Sequence, residues 1–137
     1  MEQTQAVKHA EKTILVVDDD PTVLNFVSGF LDGQFNLLVA KSGMEAVQRS
    51  EECKGEIHLL LSDFQMAGMG GIELATKLTV QRSQIKVLMM SGFSEGMLVL
   101  NDGWNFLAKP FVETQLRTLI TGLVAPTSRF TASSVSN

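Results

Sequence analysis

Asp18, Asp19 and Asp20 stand in a row, behind the apolar run Ile14-Leu15-Val16-Val17 and ahead of Pro21. Adjacent carboxylates repel one another unless a cation or a proton neutralises them. An Asp followed by Pro is a standard helix start, so Asp20 reads as a cap with Pro21 at the first helical position. That leaves Asp18 and Asp19 as candidate ligands for a hard cation. Three further reactive groups follow short apolar runs: Asp63 after Leu59-Leu60-Leu61-Ser62, Ser91 after Val87-Leu88-Met89-Met90, and Lys109 after Phe106-Leu107-Ala108. Brought together, they make a phosphoryl site. A carboxylate can attack phosphorus, a divalent cation can offset the phosphoryl charge, and Lys and Ser can hold its oxygens.

Whether they meet depends on the elements that carry them. Short apolar runs alternate with segments of helical period, the pattern of a parallel sheet with helices on both faces. Strands are expected at 14–17, 35–40, 57–61, 85–90 and 104–107. Helices are expected at about 21–31, 43–52, 72–80, 95–100 and 113–123. The first helix turns Val23, Val27, Phe30 and Leu31 to one face, the second Met44 and Val47, and the last Leu116, Leu119, Ile120 and Leu123. The helix at 95–100 is weak, because Gly96 precedes a continuous Met97-Leu98-Val99-Leu100 run with little amphipathic character. The fold class is therefore α/β, a doubly wound five-stranded parallel sheet. Right-handed crossovers bring the carboxyl ends of its first, third, fourth and fifth strands to one edge, where Asp18, Asp19, Asp63, Ser91 and Lys109 stand.

The whole chain limits the alternatives. Its 137 residues predict one domain and no second, effector domain. Residues 1–12 and 125–137 read as flexible tails around a domain at 13–124. A net charge of −4 with no basic cluster argues against direct nucleic-acid binding. Cys53 is the only cysteine, so no intramolecular disulfide forms and a reducing compartment fits. No secretory signal or membrane-spanning run is present, and a cytoplasmic protein is expected. His58, within the third expected strand, reads as a core or edge histidine, and the methionines read as core filler.

Four stretches resemble the receiver domain of two-component response regulators. They are Ile-Leu-Val-Val-Asp18-Asp19-Asp20-Pro21, Leu-Leu-Ser-Asp63-Phe-Gln-Met-Ala-Gly-Met-Gly-Gly, Val-Leu-Met-Met-Ser91-Gly92 and Phe106-Leu-Ala-Lys109-Pro110-Phe111. The resemblance runs from about residue 13 to 124 and implies a (βα)5 flavodoxin-like fold. It implies that Asp63 is the phosphoacceptor, taking a phosphoryl group from the phosphohistidine of a sensor histidine kinase or histidine phosphotransfer protein. Asp18, Asp19, Asp63 and the backbone carbonyl of Gln65 would hold Mg²⁺ (or Mn²⁺), Lys109 would pair with a phosphoryl oxygen, and Ser91 would donate to the phosphoryl group. Lys109-Pro110 stands at the family's cis-peptide position. Phe106 stands at its aromatic switch position, although a strand Phe equally suits a core. The protein would be a signalling switch rather than an enzyme acting on an external substrate, assisting only its own phosphorylation and dephosphorylation. It would signal through a downstream protein target or a homodimer, with residues 94–103 as the moving part. The Met-Met-Ser91-Gly92-Phe93 run resembles receivers attached to sensor kinases.

Two positions depart from the family pattern. Where many members have Met-Pro-Gly-Met-Asp-Gly, this chain has Met66-Ala67-Gly68-Met69-Gly70-Gly71, losing a φ restraint and a helix cap. A looser loop beside Asp63 is expected. A second family competes: Asp18-x-Asp20-x-Thr22 also resembles the nucleophile motif of haloacid dehalogenase-type phosphohydrolases, with Asp18 as nucleophile and Ser91 and Lys109 as later motifs. That reading gives Asp63 no role and lacks a second acidic pair after Lys109.

Overall fold

The structure is a computed structural model and describes residues 12–92 and 103–125. Five strands form one parallel sheet: β1 (Thr13–Val17), β2 (Asn36–Ala40), β3 (Leu59–Asp63), β4 (Lys86–Ser91) and β5 (Asn105–Ala108), in the order β2-β1-β3-β4-β5. Between and after them lie α1 (Pro21–Leu31), α2 (Gly43–Glu52), α3 (Gly71–Gln81) and α4 (Glu113–Val124). The flavodoxin-like α/β fold expected from the sequence is the fold observed. The helix expected at 95–100, most of the segment expected to move and nearly all of both expected tails lie outside the described residues.

From β1 to β4 the chain crosses back through a helix between successive strands, which lets them lie parallel and helps to cover both faces. Side chains alternate across the sheet. Ile14, Val16, Leu59, Leu61, Leu88 and Met90 pack with α1 and α4 on one face. Leu15, Val17, Leu60, Val87 and Met89 pack with α2 and α3 on the other. Most of these side chains are fully buried, each contributing roughly 1.5–3 kcal/mol on transfer from water. The ladders end nearly level: Val17 pairs with Ala40 and Ser62, Asp63 with Met90, and Ser91 with Ala108. The polar residues at the strand ends are therefore neighbours.

Helix starts follow local chemistry. The Asp20 carboxylate accepts the Thr22 amide at 2.9 Å, with Pro21 opening α1. The Ser42 hydroxyl accepts the Glu45 amide at 3.0 Å, and the Glu45 carboxylate accepts the Lys41 amide at 2.7 Å. Gly70 caps α3 without any side-chain bond, as the departure at that position predicted.

Three expectations need correction. β3 runs from Leu59 to Asp63 rather than 57–61, because the buried polar pair Ser62 and Asp63 continues the ladder; His58 precedes the strand, its Nδ1 accepting the Thr13 amide at 3.0 Å. The inward face of α2 is built from Gly43, Ala46 and Ser50. Met44 is 68% exposed, whereas Val47 packs half-buried against the core as expected. The helix lies too close for a large side chain there, since a Cβ on Gly43 would come within 2.7 Å of the Met69 Cβ.

Candidate functional site

β1 delivers Asp18 as the first residue beyond its end, fully buried. Its Oδ1 accepts the Asp20 amide at 2.9 Å, so the carboxylate is fixed by the turn that starts α1. Asp19 beside it is exposed, and its Oδ2 accepts the backbone amide of Ala67 at 3.1 Å. β3 delivers Asp63 as its last residue, 9% exposed. β5 delivers Lys109 just past its end, at the cis Lys109–Pro110 peptide. The Lys109 amide donates to the Ser91 carbonyl at 2.7 Å, which fixes β5 to the end of β4.

The Lys109 ammonium bridges two carboxylates, donating to Asp18 Oδ2 at 3.3 Å and to Asp63 Oδ1 at 3.2 Å. Asp18, Asp19 and Asp63 each turn one oxygen into a cluster whose ligand atoms lie within 4.8 Å of one another. Among the described residues, three carboxylates against one ammonium leave the cluster short of positive charge. Burial first, and the charge of Asp18 second, push the Asp63 carboxyl above its ordinary range, although Lys109 and the Gln65 amide bond oppose the shift. For Lys109, burial alone would lower the ammonium pKa; Asp63 and Asp18 together outweigh it and hold it above its ordinary value.

This donor set suits a hard divalent cation. Mg²⁺ is held by one or two carboxylates with phosphate oxygens and water rather than by a dedicated protein cage. The two remaining expected positions adjoin the cluster. Ser91 closes β4 and is 1% exposed. Gln65 follows Asp63 by two residues and donates its amide to the Asp63 carboxylate. Phe106 is half-buried and meets Phe64, the residue after Asp63, edge to face at 6.2 Å between ring centroids. It therefore belongs to the core on the α2 and α3 side while touching the loop after Asp63.

Two features went unread in the sequence pattern. The Ala67 amide is a backbone donor, marked only by the absence of a proline. A cavity of about 390 Å³ beside the cluster is lined by Val23, Phe26, Lys109, Pro110 and Phe111. Its sign in the sequence was Phe26, an apolar residue off the buried face of α1 and 53% exposed.

Comparison with known proteins follows the same lines. The model of the response regulator receiver domain matches residues 14–121. The sensor kinase CckA of Brucella abortus is 29% identical over 124 residues, covering 88% of this chain and 13% of that protein. The response regulator protein VraR of Staphylococcus aureus is 36% identical over 85 residues, 60% of this chain and 40% of that one. The chain thus spans well under half the length of these relatives. Among solved structures, the receiver domain of the hybrid histidine kinase CckA matches with a TM-score of 0.72 at 29% identity, covering 82% of this chain and 98% of that one. A CheY-like receiver domain protein from Methanospirillum hungatei matches with a TM-score of 0.72 at 27% identity, covering 81% and 91%.

Proposed function

Because this chain belongs to the response regulator receiver domain family, and so acts as a receiver in two-component signalling, we propose that Asp63 is its phosphoacceptor. The observation that carries the assignment is the Lys109 ammonium held at 3.2 Å from Asp63 and 3.3 Å from Asp18. In this reading an Asp63 oxygen attacks the phosphorus of a phosphohistidine, the phosphorus–nitrogen bond breaks, and the imidazole leaves. Lys109 then pairs with an oxygen of the transferred group and Ser91 donates to another. Burial first and the Asp18 charge second raise the Asp63 pKa, which suits a nucleophile whose charge a cation would help to offset.

Asp18, Asp19, Asp63 and the Gln65 carbonyl are the groups that would hold Mg²⁺ (or Mn²⁺). When bound, the cation supplies charge to offset the phosphoryl oxygens. The phosphohydrolase reading with Asp18 as nucleophile is not favoured. Asp18 is fully buried, with one oxygen bound to the Asp20 amide and the other to Lys109, whereas Asp63 retains access to solvent. The reading is therefore a switch with no external substrate.

The donor of the phosphoryl group must dock where phosphorus can reach Asp63. The cavity formed by Val23, Phe26, Pro110 and Phe111 shares Lys109 with the site, which supports it as the contact for the phosphohistidine-bearing helix of a sensor kinase or phosphotransfer protein. Labelling with acetyl phosphate followed by mass spectrometry tests the chemistry: the label is expected on Asp63 and lost in Asp63→Asn, and label on Asp18 refutes the assignment. Phe26→Asp is expected to slow transfer from the kinase while leaving acetyl phosphate labelling intact; equal loss of both refutes the docking site.

A further inference from the structure

Within the loop at residues 64–70, Phe64, Met66 and Met69 pack against the core, while the backbone from Ala67 to Gly70 has few restraints of its own. Gly68 sits at φ +76°, Ala67 stands where the family commonly has proline, and Gly70 starts α3 without a side-chain cap. At the site side of the loop the Phe64 amide donates to the Met90 carbonyl at 2.7 Å and the Phe64 carbonyl accepts the Gly71 amide at 3.0 Å, and beyond Phe64 the Gln65 amide bonds Asp63 and the Ala67 amide donates to Asp19 Oδ2 at 3.1 Å. At its far end, Met69 packs over Gly43 and lines a cavity of about 620 Å³ between α2 and α3.

A proline at position 67 has no N–H and could not make the bond to Asp19. Here the amide gives that carboxylate a hydrogen-bond partner. A cation that takes Asp19 Oδ2, the oxygen the amide holds, has to displace the amide from it, and both draw on the same negative charge. We propose that the Ala67 amide is an intramolecular competitor for Asp19. It ties the middle of the loop to the acidic cluster in the cation-free protein, and a divalent cation bound there weakens that tie. The proposal rests on the reading of the cluster as a cation site, but not on the identity of the phosphoacceptor.

Magnesium chloride titrated into the wild-type chain, Ala67→Pro and Ala67→Gly by calorimetry tests the competition. Ala67→Gly retains the amide and adds freedom, whereas Ala67→Pro deletes it. Losing one hydrogen bond to a partly solvated charge, about 1 kcal/mol, is expected to tighten Mg²⁺ binding about fivefold in Ala67→Pro, with Ala67→Gly close to wild type. Equal tightening in both variants, or none in Ala67→Pro, overturns the proposal. Amide hydrogen exchange by NMR on the unmodified chain decides the matter even where the proline variant fails to fold. The Ala67 amide is expected to exchange faster once Mg²⁺ saturates the site, and unchanged protection overturns the tie. A wild-type chain that binds no Mg²⁺ at all overturns the cation site itself, a result separable from the other two.

Discussion

Replacing Gly70 by Asp supplies the cap that α3 lacks, and the structure allows its effect to be worked out in advance. Gly70 sits at φ −78°, ψ 174°, the extended geometry that an N-cap requires. A Cβ there would meet only the Phe64 carbonyl, at 3.8 Å, an ordinary contact. No strain therefore offsets the gain. An Asp cap exceeds Gly by a few tenths of a kcal/mol, and its charge at the helix start adds about 0.3–1 kcal/mol. Removing glycine's freedom from the unfolded chain adds about 0.4–1 kcal/mol. Repulsion from the nearby acidic cluster subtracts part of this, leaving roughly 1 kcal/mol, or about 4 °C in Tm for a domain of this size. Thermal unfolding followed by circular dichroism in the absence of Mg²⁺ measures it. Gly70→Ala separates the contributions, since it gains the same restriction but makes a poorer cap than glycine; it is expected to change Tm little. Gly70→Asn retains the cap without the charge and should fall between wild type and Asp. A Gly70→Asp protein no more stable than Gly70→Ala refutes the argument that an absent cap loosens this end of the loop.

Asp63→Asn is expected to stabilise the Mg²⁺-free protein at neutral pH. A carboxyl whose folded pKa is raised loses stability as pH climbs through that value, so the advantage of Asn should vanish below the ordinary carboxylate pKa of 3.8; chemical unfolding at several pH values reads it. Lys109→Met removes the one ammonium in the cluster and is expected to tighten Mg²⁺ binding about tenfold, the equivalent of 1.4 kcal/mol, while nearly abolishing acetyl phosphate labelling. Calorimetry and labelling moving in the same direction would contradict this charge balance. Gly71→Ala places a Cβ 2.4 Å from the Asp63 carbonyl and 3.1 Å from the Phe64 Cα, an overlap with backbone that is expected to cost about 1–3 kcal/mol in urea unfolding. An unperturbed midpoint would show that β3 and α3 can separate without loss.

What the sequence made legible follows from which forces leave a local pattern. Runs such as Ile14-Leu15-Val16-Val17 show as strands because both faces of the sheet are covered. Asp20-Pro21 and Ser42 mark helix starts because capping uses side chains near in sequence. The end of β3 was hidden for the opposite reason: Ser62 and Asp63 are buried polar residues, and hydrophobic patterning stops short of them. Such residues belong there because the carboxyl edge of the sheet is where the site is built. Met44 misled because methionine is apolar wherever it lies, whereas the face of α2 that packs inward had to be small enough to fit beneath Met69. The site divides in the same way. Asp18, Asp19, Asp63, Ser91 and Lys109 were legible as a constellation because parallel crossovers fix which strand ends meet. The Ala67 amide was not legible, since every residue but proline has such a donor and only the folded loop determines where it points. The two departures from the family pattern thus act together. Gly70 withdraws a side chain that would hold the start of α3, and Ala67 introduces an amide that holds the loop to Asp19. The loop has exchanged a restraint independent of the site for one that depends on the site's charge.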